Sequence, residues 1–395
     1  MKKEMKFKFF ILLFLLKLSV FSQTDVLVYK DIIGNINIES IKDKKFKPLK
    51  KQILEKYSDD VYWFKIPAHK TNEDYVFRFV YERINEAEAY QNSIKLKKLK
   101  NQRFLSYQFS RKEDVYIKIN PELHSYIPFE LNNITQSSLK ESNHLLLNGF
   151  YYGFAFLIIV YNLCYYILFR DDAFLYYALF LSTTTFGVFT MDGMLNFYTI
   201  SGWLNEFIMV LNYLFLAFFA SKFIYTYLLL DNYYTKLKKI SYTIGSIAIL
   251  FGILYLIFNN FYYLLILGIL VFSLLLIYWI CALLMFNKDF YIKIMVFAYP
   301  IILFSGIDYY ILKFLGISII NIDAINIKIG AFLEMIILSF AVLYRMNVLK
   351  KENDFMHNEI VNYSKKISEL SLSSKEENLG SNLDDLSHRE KKFLI

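Results

Sequence analysis

Gly149-Phe-Tyr-Tyr-Gly-Phe-Ala-Phe-Leu-Ile-Ile-Val-Tyr-Asn-Leu-Cys-Tyr-Tyr-Ile-Leu-Phe169 runs for 21 residues without a charge and ends at Arg170-Asp-Asp172. A helix needs about 20 such residues to cross a hydrocarbon layer of about 30 Å. Six further apolar stretches come after it, at about 173–190, 203–229, 240–258, 261–286, 292–312 and 325–345. Short connections join them, so the pattern predicts a compact antiparallel bundle of seven spans. Composition agrees. With 56% of residues hydrophobic and 20% charged, the chain is too apolar for an all-soluble or a disordered protein.

Charge sets the orientation. Arg170, then Lys236, Lys238 and Lys239, then Lys288 and Lys293 flank alternate connections. The other connections, 191–202, 259–260 and 313–324, hold only Lys313. Positive residues gather on the cytoplasmic side, so the first span starts outside and the C-terminus lies in the cytoplasm. The N-terminus requires the same topology. Lysines at 2, 3, 6 and 8 precede an apolar core from Phe9 to Leu16 and a small-residue exit, the layout of a secretory signal cleaved after Ser22. An uncleaved anchor is the rival reading, and the domain beyond it is exported in either case.

Residues 23–147 have the texture of a water-soluble domain. Val26–Tyr29, Val61–Ile66, Tyr75–Val80 and Val115–Ile119 are short, β-branched and aromatic, with polar punctuation between them. Such spacing predicts an all-β sandwich or jelly roll. His69, His124 and His144 are scattered and form no metal or catalytic motif, so the chain is not expected to be an enzyme or to need a cofactor. Tyr62, Trp63, Tyr90 and Tyr107 offer either a sugar-stacking platform or ordinary sandwich core. The net charge of +8 comes from the first 147 residues without a basic block, which gives no footprint for nucleic acid. Cys164 and Cys281 lie inside apolar runs, so no disulfide framework is expected.

Within the spans, Asn162, Asn212, Asp308 and Glu334 need explaining. Intramembrane carboxylates are costly and tend to face the bundle interior. They suit an ion-coupled site, a polar switch, or plain interhelical hydrogen bonding. The first of these keeps a transporter or membrane enzyme open as an alternative.

Beyond the last span, Met346, Leu349, Asn353, Met356, Ile360, Tyr363, Ile367 and Leu370 recur at alternating steps of three and four. That is a heptad seam, and Asn353 at an a position favours a parallel two-stranded coil over 346–372. A homodimer is the expected state. His357 on this helix lacks a following ATP-binding domain, which argues against a histidine kinase. The chain then turns polar and Ser/Glu-rich from Ser371 to Gly380, a linker, and 373–395 form a polar tail. It ends in Leu386-Ser-His-Arg-Glu-Lys391, similar to the opening of a LuxR-type helix-turn-helix without its recognition helix, so specific DNA binding is not expected.

Several pieces stand in a telling order: Gly149-Phe-Tyr-Tyr-Gly153, Tyr161-Asn-Leu163, Arg170-Asp171, Leu175-Tyr-Tyr177, Asp192-Gly193, and Glu334 with Arg345. Placed after a signal peptide and a β-rich exported domain, the set resembles the bacterial seven-transmembrane receptors with diverse intracellular signalling modules (7TM-DISM), over residues 23 to about 350. The resemblance implies a jelly-roll-like sensor domain at 23–147 for a small extracytoplasmic ligand, carbohydrate-like in class. It also implies a seven-helix domain at 148–345 and an output on the cytoplasmic side.

Overall fold

The computed structural model describes residues 25–391, apart from 50–51, 57–59, 70, 72, 122–125, 199–201, 320–321 and 323, and without the side chains of 368–391. The signal segment expected at 1–22 lies outside the described residues, as does the side chain of Leu370.

The N-terminal unit is a sandwich of antiparallel strands. One sheet has the order β2-β1-β4-β9-β6-β7, built from β1 (Leu27–Asp31), β2 (Lys47–Pro48), β4 (Val61–Ile66), β6 (Glu88–Gln91), β7 (Ile94–Lys95) and β9 (Val115–Ile119). The other has the order β3-β10-β5-β8, from β3 (Gln52–Leu54), β5 (Asp74–Phe79), β8 (Ser106–Ser110) and β10 (Tyr126–Asn133). Alternating residues of both sheets point inward, and four rings fill the middle. Phe77 stacks on Phe129 at 5.5 Å, and Phe64 meets Phe79 edge-on at 5.6 Å. β4 is buried on both faces, because Ile36, Ile38, Ile41 and Phe46 fold over Val61, Trp63 and Tyr116 on the outer side. Tyr62, Trp63 and Tyr107 are therefore core residues, each no more than 2% exposed, and form no platform.

Among the described residues seven helices come next, each long and apolar enough to cross a membrane: α1 (Ile134–Phe169), α2 (Asp172–Met191), α3 (Gly202–Tyr227), α4 (Leu237–Phe258), α5 (Phe261–Leu284), α6 (Phe290–Ile307, its span continuing to Leu312) and α7 (Ala324–Lys391). α1 starts at Ile134, well before the apolar run at Gly149. Asn133 caps it by accepting the Gln136 N–H at 2.8 Å, so its first turns form a stalk under the sandwich. α6 contains Pro300 and ends in a π turn at Asp308–Leu312. α7 packs against α1, α2 and α6.

α7 does not stop where the sequence turns polar. The backbone stays helical through 371–380 to Lys391, where a linker was the expectation. No proline occurs after Pro300, and the Leu, Glu and Lys residues of 371–391 favour a helix despite five serines and Gly380.

Candidate sensory and transmission site

The sandwich is fastened to the bundle by buried charges. Arg103, just before β8, grips Glu141 on the α1 stalk with two bonds, Nε–Oε1 at 2.5 Å and Nη2–Oε2 at 3.0 Å. Arg78 from β5 reaches the same carboxylate at 2.6 Å. The third arm of Arg103 donates from Nη1 to the Asp192 carbonyl at the end of α2, at 3.0 Å. Asn196 in turn donates to the Arg103 carbonyl at 2.5 Å. A planar guanidinium with several fixed donors suits such a three-way junction; a lysine could not replace it.

Asp192 carries the connection onward. Its carboxylate accepts Lys328 of α7 at 2.9 and 3.1 Å and the Tyr152 hydroxyl of α1, while Lys328 also donates to Asn148 Oδ1 at 2.5 Å. One residue at the end of α2 therefore joins the sandwich to α1 and α7. A second fastening lies in the loop before α7. Lys313 donates to the Tyr126 hydroxyl of β10 at 3.2 Å and sits over the Tyr126 and Tyr309 rings.

At the far end of the bundle, Arg345 of α7 is 2% exposed. It pairs with Asp171, the N-cap of α2, at 2.5 Å. It also donates to the carbonyls of Tyr227 (2.7 Å) and Thr226 (3.1 Å) in the last turn of α3. Those carbonyls carry the partial negative charge of a helix C-terminus, which a cation there complements. Between Lys328 and Arg345 the helix rises about 26 Å, at roughly 1.5 Å per residue, close to the full hydrocarbon thickness. α7 is thus a rod pinned near both membrane faces.

Glu334 lies between the pins. It is buried, and its Oε1 has no hydrogen-bond partner among the described residues. Tyr151, Tyr177 and Tyr299, from three other helices, stand within electrostatic range of it. The Tyr177 hydroxyl donates to the Met335 carbonyl at 3.1 Å. The carboxyl of Glu334 thus stands at mid-span among tyrosines of three other helices.

The other residues singled out in the sequence fall elsewhere. Asn162 is buried and satisfied locally, donating to the Ile158 carbonyl of its own helix at 2.8 Å. Asp308 lies in the last turn of the sixth span, on the π turn near the sandwich, and accepts the backbone N–H groups of Ile319 (3.0 Å) and Ile322 (3.1 Å), which shapes the loop before α7. Met346 packs on the bundle and Leu349 is half-buried, whereas Asn353, Met356, Ile360, Tyr363 and Ile367 are exposed along the free part of α7.

Glu82 and Arg83 escape a reading by motif. They come after β5 as Tyr81-Glu-Arg-Ile84, a pattern that looks like a surface turn, yet they plug the mouth of the bundle beside Glu206, Tyr213 and Tyr310. Burial pushes the Glu82 carboxyl up to about 7, against the pull of the adjacent Arg83, with Asp192 and Glu206 adding to the rise. An acid with a raised folded-state pKa penalises the folded protein once the unfolded chain ionises. Stability therefore falls as pH climbs from about 4.5 to about 7 and levels off above that. Glu82→Gln, which cannot ionise, is expected to raise the melting temperature at pH 8 by the equivalent of about 2–3 kcal/mol and to change little at pH 4.5. Equal effects at both pH values would contradict this account.

Two family models match the chain. The model described as 7TM diverse intracellular signalling covers residues 144–345, and the one described as 7TMR-DISM extracellular 2 covers residues 23–135. No curated protein matches it.

Proposed function

The chain belongs to the 7TM diverse intracellular signalling (7TM-DISM) family of transmembrane sensory receptors, and we propose that it relays a ligand signal from its outer β domain to the protruding end of α7. The ligand is a small extracytoplasmic molecule, carbohydrate-like in class. Its place is the groove of about 860 Å³ on the sandwich, lined by Lys95, Lys97, Lys98, Lys100 and Lys118. Those lysines suit a sugar that carries acidic groups. The receptor sits in a bacterial inner membrane with α7 leading into the cytoplasm, and its output is regulatory rather than enzymatic.

The observation that carries this reading is the continuity of α7. Lys328 ties it through Asp192 and Arg103 to the sandwich, and Arg345 ties it to α2 and α3 at the far face. Beyond that latch Met356, Ile360, Tyr363 and Ile367 are each more than half exposed in the single chain. A second copy would cover them as a parallel coiled coil, with an output partner recruited beyond it.

Cysteine crosslinking in native membranes tests both halves of the proposal. Ile360→Cys and Ile367→Cys are introduced singly after Cys164→Ser and Cys281→Ser, in the full chain and in one lacking residues 23–147. Crosslinking should be strong at both sites and should change at least threefold when the outer domain is removed. An absence of crosslinks would discard the dimeric helix, and yields indifferent to the deletion would discard the relay.

A further inference from the structure

Three neighbouring spaces lie in succession between the sandwich and the bundle, each sharing lining residues with the next. The lysine-lined groove shares Asn85, Glu86 and Asn120 with a vestibule of about 390 Å³ at the domain–bundle junction. The vestibule shares Arg83 and Glu206 with a smaller cavity of about 90 Å³ between α2, α3, α5 and α6. Arg83 is thus the threshold between them.

The cavity is chemically unfinished. Four of its side chains hold atoms shielded from solvent and, among the described residues, without a hydrogen-bond partner: Arg83 Nη1, Glu82 Oε2, and the hydroxyls of Tyr213 and Tyr299. Buried polar atoms are almost always paired, so four orphans facing one space point to a missing partner. Glu206 does not supply it. Among the described residues its carboxylate makes no ion pair with Arg83 and instead accepts the Tyr255 hydroxyl at 2.5 Å. Below the orphans the floor is apolar, made by Leu216, Phe272, Leu275 and Leu303.

We infer that this cavity binds a small aliphatic monocarboxylate, its head at Arg83 and its tail on the apolar floor. The unpaired guanidinium N–H calls for an anionic acceptor. The hydroxyls of Tyr213 and Tyr299 can donate to further acceptor sites on such a head. Glu82, held largely protonated below neutrality by burial, donates to a carboxylate instead of repelling it. Size fixes the tail. At roughly 30 Å³ of liquid volume for each water, the cavity of about 90 Å³ holds about three waters, or a head with a tail of a few carbons. The approach favours anions too, since five lysines line the outer groove against Glu86 and Glu88. This site is separate from the ligand site proposed on the sandwich, and its test does not depend on that one.

The full chain in phosphatidylcholine nanodiscs, with sodium butyrate as probe and uncharged butyramide as control, decides the matter. Butyrate at about ten times its Kd should raise the melting temperature by about 2–4 °C, and butyramide should not. Arg83→Gln should weaken butyrate at least tenfold. Leu303→Phe fills the floor and leaves Arg83 in place, so it should retain acetate and lose butyrate even if Arg83→Gln fails to fold. The inference is overturned if acetate, butyrate and hexanoate all leave the wild type unshifted, or if butyramide matches butyrate. It is equally overturned if Arg83→Gln binds butyrate as before, or if Leu303→Phe accepts both acids unchanged.

Discussion

Replacing Arg345 with methionine is expected to loosen the far end of the bundle by on the order of 3 kcal/mol and to fix the exposed part of α7 in one signalling state. The guanidinium is almost wholly buried, whereas Asp171 keeps about a fifth of its surface in solvent. Removing one partner of a buried pair costs about 3–5 kcal/mol, and the partial hydration of Asp171 lowers that figure. The carbonyls of Thr226 and Tyr227 lose charged donors as well. Methionine fills a similar volume, so the loss reports the polar contacts and not a cavity. Arg345→Lys should recover only part of the stability, since a single ammonium cannot serve three acceptors on two elements with fixed geometry. Thermal melting in detergent gives the magnitude, and a double-mutant cycle with Asp171→Asn gives the coupling. Crosslinking at Ile360→Cys in the Arg345→Met background should no longer respond to removal of residues 23–147. A melting curve unchanged within a degree, or a retained response, would show that α7 is held elsewhere.

The ends of α7 also show how far the sequence can be read. Seven spans are legible because lipid demands about 20 consecutive apolar residues, and the sandwich is legible because one buried face imposes alternation. The short ordered motifs turn out to be halves of contacts: Asp171 meets Arg345, Asp192 meets Lys328 and Tyr152, and Tyr177 meets the turn that carries Glu334. Their pairing is hidden from the sequence, since most partners lie more than a hundred positions apart and no periodicity links them. Arg78, Arg103 and Glu141 are less visible still. Each stands among polar neighbours and looks like solvated surface until the stalk of α1 rises under the sandwich. Asp308 is legible as a member of the sixth span, which continues through the π turn to Leu312, but its partners are not. Backbone N–H groups of the following loop claim the carboxylate. The seam on α7 is visible because it is a repeat, and its partner is not because a second chain must supply it.

Gly193→Ala and Gly316→Ala together are expected to release the sandwich from the bundle without unfolding it. Both glycines have positive φ, +68° and +70°, where a side chain costs about 1–2 kcal/mol before any contact is considered. Both also face backbone of the sandwich. A Cβ on Gly193 would run into the Arg103 carbonyl, and one on Gly316 would overlap the Glu55–Lys56 peptide. A side-chain tip could swing away, but a peptide group in a seated loop can yield only by moving the loop. Each methyl must therefore displace the domain or distort a connection of the bundle, for an expected cost of at least about 2 kcal/mol per site. The two substitutions lie in bundle connections, so the sandwich keeps its own core of Phe64, Phe77, Phe79 and Phe129. Hydrogen exchange should accordingly speed up around 52–56 and 103–106 while the central strands stay protected. Ile360→Cys crosslinking in this double variant should match that of the chain lacking residues 23–147. Gly149→Ala and Gly153→Ala are the matched controls, because their added Cβ atoms meet nothing within 4 Å. If the docking glycines prove as tolerant as these two, the signal does not cross through these loops. The buried charges at Arg103 and Glu141 would then be structural ballast, and the relay would have to enter the bundle through Glu82 and Arg83 instead.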